Sequence, residues 1–114
     1  MTLRLTNAEI AELQRRYGYL SNPQAIDIDD PINPLAYFDL RGDGLLHVAA
    51  QRGDARTVGL LLRAGIDVDQ RGDMGCTALH YAHMYRKPEV ICLLLSNDAA
   101  TNIVNEFGRL PEAS

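Results

Sequence analysis

Tryptophan is absent from the chain, cysteine occurs twice and lysine once, against ten arginines. Cys76 and Cys92 match no zinc-ligand spacing and form no Cys-x-x-Cys pair, so both read as reduced thiols. No apolar run approaches the roughly eighteen residues of a membrane helix. The first residues, MTLRLTNAEIAELQ, hold no apolar stretch long enough for a signal peptide. The expected location is therefore the cytoplasm, without a membrane partner. Basic charge is scarce as well, and the formal net charge is −4. Nucleic-acid binders usually present a basic face, so a nucleic-acid partner is not expected. A basic protein partner fits the balance. The phosphate-loop, dinucleotide and nucleophile-elbow patterns are missing. A Cys76 nucleophile with a histidine base has no supporting local signature. Neither enzymatic activity nor a cofactor is expected.

What remains suits one small domain. At 114 residues, with 46% hydrophobic and 23% charged side chains, the chain has a composition typical of soluble globular proteins. A fold of this length buries roughly two thirds of the surface its unfolded chain exposes. The strongest internal signal is a repeat. Shifting the sequence by 33 residues aligns Gly42 with Gly75, Leu46-His47 with Leu79-His80, Ala49 with Ala82, and the triplet Leu60–Leu62 with Leu93–Leu95. Gly108 stands another 33 residues on.

Each unit predicts two short helices. Leu45 to Arg52 forms the first, ended by Gly53, which tolerates the left-handed conformation past a helix end. Asp54 caps the second, Ala55 to Ala64, with Val58, Leu61 and Leu62 as its apolar stripe. Gly65 closes it, and the Asp- and Gly-rich IDVDQRGDMG reads as a turn-rich excursion. In the next unit Thr77 caps Ala78 to Tyr85. Pro88 opens a helix to Ser96 at a position where a missing N–H costs nothing. One such pair cannot bury its apolar faces alone, whereas stacked pairs can.

These residues are similar to a known family. Gly42 to Asn102 resembles two ankyrin repeats: GDGLLHVAA and GCTALHYA match the Leu-His-x-Ala helix. VGLLLRAGIDVDQ and VICLLLSNDAATN match the leucine-triplet helix and the segment after it. The resemblance implies an all-α ankyrin-repeat helical solenoid with hairpin-like loops. It also implies structural histidines: a threonine three residues earlier bonds the imidazole, which bonds backbone of a neighbouring repeat. Thr77 and His80 keep that spacing. His47 has Gly44 in the threonine's place, and its network is left open. A metal reading of His47, His80 and His83 competes, since His80 and His83 are three apart on one helix, but helical ligand pairs more often use a spacing of four. No metal is expected.

Both units depart from the family pattern. Leu45 and Ala78 stand where it has proline, and Arg86 and Asp98 where it has left-handed glycine, at about 1 kcal/mol or less each. Unit two is therefore expected to be the looser. We divide the chain into an N-terminal capping helix and connector (1–41), two repeats (42–74 and 75–107) and a truncated third repeat or tail (108–114). Thr6-x-x-Glu9 is a capping-box pattern opening a helix over about 7–17, stopped by Gly18. SNPQAIDIDDPINP reads as an irregular connector; Asp27, Asp29 and Asp30 in it form a solvated loop or an acidic patch. A short helix is predicted over 34–38, capped by Asn33. Residues 103–111 read as a last excursion with a frayed tail, which leaves apolar surface uncovered at the C-terminal side.

The resemblance places a partner-binding groove on the excursion tips and the open side of each first helix. Carried over, these positions are Leu40, Arg41, Asp43, Gln51 and Arg52; then Asp73, Met74, Cys76, Met84 and Tyr85; then Glu106, Phe107 and Arg109. Met74, Met84, Tyr85 and Phe107 would form an apolar cluster, since aromatic residues and Arg are enriched at interface cores and Met adapts to irregular surfaces. Arg41, Arg52, Asp43, Asp73 and Glu106 would form a charged rim. The expected function is non-catalytic binding of one folded protein. The first reading is a small stand-alone inhibitor, similar to immunity proteins that neutralise a basic toxin. The alternative is a scaffold or regulatory adaptor that self-associates or holds two partners.

Overall fold

The computed structural model describes residues 5–17 and 37–113. Helix α1 spans Asn7–Arg16, α2 Leu45–Arg52, α3 Ala55–Arg63, α4 Ala78–Met84 and α5 Pro88–Ser96. Single 3₁₀ turns cover Asp73–Gly75 and Pro111–Ala113. The packing is two rows: α2, α4 and the Pro111–Ala113 turn lie side by side, and α3 and α5 lie behind them. Small residues let the inner row approach closely. Ala49, Ala50, Ala78 and Ala82 are fully buried, interleaved with Leu46 and Leu79. The all-α repeat architecture expected from the 33-residue period is the one observed.

Caps fall where the sequence places them. Thr6 and Glu9 close a reciprocal capping box on α1, Asp54 accepts from the Thr57 N–H (3.2 Å), and Thr77 caps α4. Gly53, Gly65, Arg86 and Asp98 all adopt positive φ. Arg86 and Asp98 therefore take the left-handed conformation that glycine takes one repeat earlier, at the modest cost expected of a side chain there.

Three expectations need correction. The apolar stripe of α3 is rotated: Leu60 is buried with Val58 and Leu61, while Leu62 is only partly buried. Tyr37 and Phe38 are not helical. Phe38 instead forms a β-bridge to Gly44 across the first hairpin; the rest of the helix expected over 34–38, with its Asn33 cap, lies outside the described residues, as do Gly18 and the Asp27–Asp30 segment. The tail is not frayed at Pro111, which is among the fully buried side chains and starts a third inner-row turn against α4. Pro111 lies 33 residues beyond Ala78, at the position where units one and two lack the family's proline.

Helix α1 lies against the first repeat. Leu13 and Tyr17 are buried at 0% and 2% exposure. A row of polar contacts joins α1 to α3 and its cap: Glu9 pairs with Arg63, Glu12 with Arg56 (3.1 Å), and Arg16 with Asp54 (2.7 Å). The Tyr17 hydroxyl donates to the other Asp54 oxygen at 2.8 Å. Exposed pairs of this kind contribute little singly, so the buried Leu13 and Tyr17 carry the docking and the pairs orient it.

The row is nonetheless acid-sensitive. The Thr6 N–H and then Arg63 hold the Glu9 carboxyl below its ordinary range, and Arg56 does the same for Glu12. Burial pushes Asp54 up, but bonds from Thr57, Tyr17 and Arg16 outweigh it and leave a net lowering. Carboxyls depressed in the folded state stabilise it above their unfolded values, and that contribution is lost as pH falls below about 4. We expect α1 to loosen in that range before the repeats do. Amide-exchange protection of residues 7–17 should fall at pH 3 while that of α2 and α4 persists. A Glu9→Gln/Glu12→Gln variant should show part of the loss at pH 7. Uniform loss across all helices would refute the selective release.

Candidate partner-binding groove

Three hairpin tips project from the inner row, and each is closed by the same backbone bond. Asp39 N–H donates to Asp43 C=O (2.9 Å), Gly72 N–H to Cys76 C=O (2.8 Å) and Asn105 N–H to Arg109 C=O (3.0 Å). In the first and third tips the opening side chain stitches the loop. Asp39 Oδ1 accepts from the N–H of Arg41 and Asp43, and Asn105 Oδ1 from the N–H of Phe107 and Arg109. The second tip opens with Gly72 and has no such side chain.

Asp43 of the first tip instead reaches the second tip from across the junction. Its Oδ1 accepts from the Asp73 N–H at 2.8 Å. A Cβ at Gly72 would overlap that same oxygen, so glycine is required there by close approach and not by φ. The Tyr81 hydroxyl, from α4, donates to both Asp43 oxygens at 3.0 and 2.9 Å. Burial first, and then this bond, push the Tyr81 phenol far above its ordinary value. The Tyr81 ring packs edge-on against His47, centroids 5.8 Å apart at 78°. Asp43 is 6% exposed, so it is a buried clasp between repeats and not the rim charge expected of it.

The histidines are struts. His47 and His80 are both fully buried. His80 Nδ1 lies 2.9 Å from Thr77 Oγ1 and accepts the Thr77 N–H at 3.0 Å; its Nε2 reaches Arg109 C=O at 3.0 Å. His47 achieves the same without a threonine: Nδ1 accepts the Gly44 N–H (3.0 Å) and Nε2 meets Gln70 C=O (2.9 Å). The backbone bonds thus suffice for the network left open in unit one. With Nδ1 accepting, Nε2 must be the donor to each carbonyl. Neither ring has a free nitrogen for a metal, and among the described residues no three His, Cys, Asp or Glu side chains converge on a metal site.

Between the tips and the inner helices lies an open cleft of about 440 Å³. Of the residues expected in the groove, Arg41, Asp43, Gln51, Asp73, Met74, Cys76, Met84, Tyr85, Phe107 and Arg109 line it. Met74, Met84 and Tyr85 are 44–49% exposed and Phe107 67%. Cys76 is buried in the floor beside Asn105, and burial pushes its thiol up. Three expected residues lie elsewhere. Arg52 sits at the far end of α2, in a shallow dent with Arg16, Tyr17 and Asp54, because the end of α2 remote from the hairpin tips cannot reach the cleft. Leu40 is 93% exposed at the tip of the first hairpin, outside the cleft. Glu106 gives its N–H to Met74 C=O (2.9 Å), and its side chain lies against Gly75.

Two lining residues, Tyr81 and Asn105, were not anticipated. Tyr81 occupies the variable position of Leu-His-x-Ala, where unit one has Val48, so its neighbours gave no hint of a groove-facing hydroxyl. Asn105 had a signal: it lies twice the 33-residue period beyond Asp39, the other tip-opening acceptor.

A family model of ankyrin repeats, three copies long, matches residues 16–105. The chain belongs to the ankyrin-repeat family. Among its relatives, an ankyrin and IPT/TIG repeat-containing protein of Schizosaccharomyces pombe is 37% identical over 70 residues, 61% of this chain and 6% of that protein. A putative ankyrin repeat protein of fowlpox virus is 33% identical over 99 residues, 82% of this chain and 24% of its own length. Human protein phosphatase 1 regulatory subunit 27 is 35% identical over 77 residues, 68% of this chain and 50% of its own length. The chain thus spans half or less of the length of these relatives. Ankyrin repeats are in general non-catalytic protein–protein interaction modules. Among the described residues no helix is long and apolar enough to cross a membrane.

Proposed function

We propose that this ankyrin-repeat chain is a non-catalytic module that grips one folded protein in the cleft and inhibits it, in the manner of an immunity protein held against a basic toxin in the cytoplasm. The observation that carries the reading is the exposure of Met74, Met84, Tyr85 and Phe107 around one opening. Large apolar side chains clustered at a concave surface mark binding sites, and here acidic groups lie among them. The net charge of −4 favours encounter with a basic partner. A regulatory-adaptor role is the second reading. Its support is a relative named as a phosphatase regulatory subunit, together with Leu95, Val104 and Leu110 exposed at 43–44%.

Tyr85→Ala and Phe107→Ala should each weaken partner binding by about 2 kcal/mol; Phe107→Ala, at a mostly solvent-facing ring, should leave thermal unfolding nearly unchanged, and Tyr85→Ala, at a half-exposed one, should lower it only slightly. The measurement is capture from the native host followed by calorimetry with the purified partner. A single tight partner whose activity is blocked supports inhibition; several weaker partners with activity intact support the adaptor. Unchanged binding by a folded double variant removes the cleft as the site.

A further inference from the structure

A buried carboxylate is costly unless a cation or a full set of donors meets it. Asp43 is 6% exposed, and what it exposes faces the cleft. Among the described residues no arginine, lysine or histidine forms an ion pair with it; the ion pairs all join α1 to α3 and its cap or lie within α1. Its donors are one backbone N–H and one phenol, both neutral, and Oδ2 receives only the Tyr81 hydroxyl. A carboxylate has about four acceptor positions, so Oδ2 keeps capacity for another donor. Asp73 lines the same cleft. The same cleft is lined by Tyr81 and Tyr85, ring centroids 6.4 Å apart and tilted by 44°, and by the exposed Phe107. Acidic and aromatic side chains lining one cleft are the combination that suits a flat cation.

We propose that the cleft takes an arginine side chain of the partner, its guanidinium bonded to Asp43 and stacked against Tyr85 and Phe107. This rests on the cleft being the partner-binding site, and it names the group that site recognises. Guanidinium is preferred over ammonium because it is planar, less strongly hydrated and able to stack on a ring while donating to a carboxylate oxygen. Arg41 and Arg109 also line the cleft, and both are exposed. Their repulsion is screened by water and salt, whereas the attraction to buried Asp43 is screened far less. The same two arginines would suit an acidic side chain, which makes glutamate the competing occupant.

The test uses the full chain labelled with ¹³C-methyl methionine, so that Met74 and Met84 report on the cleft. N-acetyl-arginine methylamide is titrated alongside the blocked lysine, glutamate and leucine analogues. Blocked arginine should move the Met74 and Met84 methyl signals saturably and bind at least about tenfold more tightly than blocked glutamate or leucine. Asp43→Asn keeps an acceptor oxygen for the Asp73 N–H and the Tyr81 hydroxyl but removes the charge, and it should weaken arginine binding by about tenfold or more. Should that variant fail to fold, Tyr85→Ala and Phe107→Ala, on exposed rings, should each weaken arginine binding several-fold. Tighter binding of glutamate, equal response to all four probes, no saturable shift, or binding insensitive to these variants would each overturn the proposal. If partner capture is still lost in Tyr85→Ala and Phe107→Ala while blocked arginine does not bind, the arginine slot fails and the cleft stands as the interface. Loss of neither overturns both.

Discussion

A His80→Ala variant should lose about 3 kcal/mol of stability, a large share of what a domain of this size has. The imidazole is fully buried and satisfied at both nitrogens, by the Thr77 N–H and the Arg109 carbonyl. Alanine leaves a void between α4 and the third tip. It also strands the Thr77 N–H, and an orphaned group of that kind costs about 1–3 kcal/mol, while the Arg109 carbonyl keeps only its bond from the Asn105 N–H. The loss should be visible as a lower urea midpoint with unchanged slope, since the denatured chain is barely altered. His80→Gln, which can place an oxygen and an amide near the two sites, should recover part of it. If His80→Ala costs under about 1 kcal/mol, the ring is not the strut described above, and a solvent-facing role returns to consideration.

Gly72→Ala should cost about 2 kcal/mol, although alanine is ordinarily well tolerated at negative φ. The added methyl overlaps Asp43 Oδ1, so the carboxylate must swing away and release both the Asp73 N–H and the Tyr81 hydroxyl. The informative variant is double. Gly72→Asn with Asp43→Ala restores to the second tip the opening acceptor that Asp39 and Asn105 give the other two, and it vacates the space the introduced amide side chain would need. Each single change should destabilise. Together they should cost less than their sum by about 1 kcal/mol or more, as expected of residues sharing one set of hydrogen bonds. Strict additivity would show that Asp43 and Gly72 are not coupled. The cycle is read by chemical denaturation of the four proteins.

Much of this architecture was legible because a repeat announces itself twice. The 33-residue shift aligned two Leu-His-x-Ala helices, and the helix caps at Thr6, Asp54 and Thr77 followed from ordinary side-chain chemistry. The histidine network of unit two was readable from Thr77 and His80. That of unit one was not, because its donor is the backbone N–H of Gly44, which no side chain advertises. The groove was legible to the extent that it consists of repeat positions. What could not be read was which side chains at those positions turn inward. Asp43 looks like a surface aspartate in a turn; only the packing of Tyr81 against His47 and the room left by a side-chain-free Gly72 draw it into the interior. The leucine triplets show the same limit. Identical letters at 60–62 and 93–95 meet different surroundings. Leu61 and Leu94 are fully buried in both, while Leu95 is 44% exposed; α5 packs on α4 and, in the outer row, is flanked only by α3 among the described residues.

The imidazole bonds also give the stack a direction. Each ring is held at Nδ1 from within its own helix start and spends its Nε2 proton on the hairpin that follows, His47 on Gln70 and His80 on Arg109. A unit therefore finishes its interior with an atom borrowed from downstream, and lends one upstream. Trimming back from the C-terminal side past Arg109 would unmake a bond deep inside unit two, whereas removing α1 would touch neither ring. Cooperativity in such an arrangement is handed along the chain in one sense, like a row of tiles each overlapping the next.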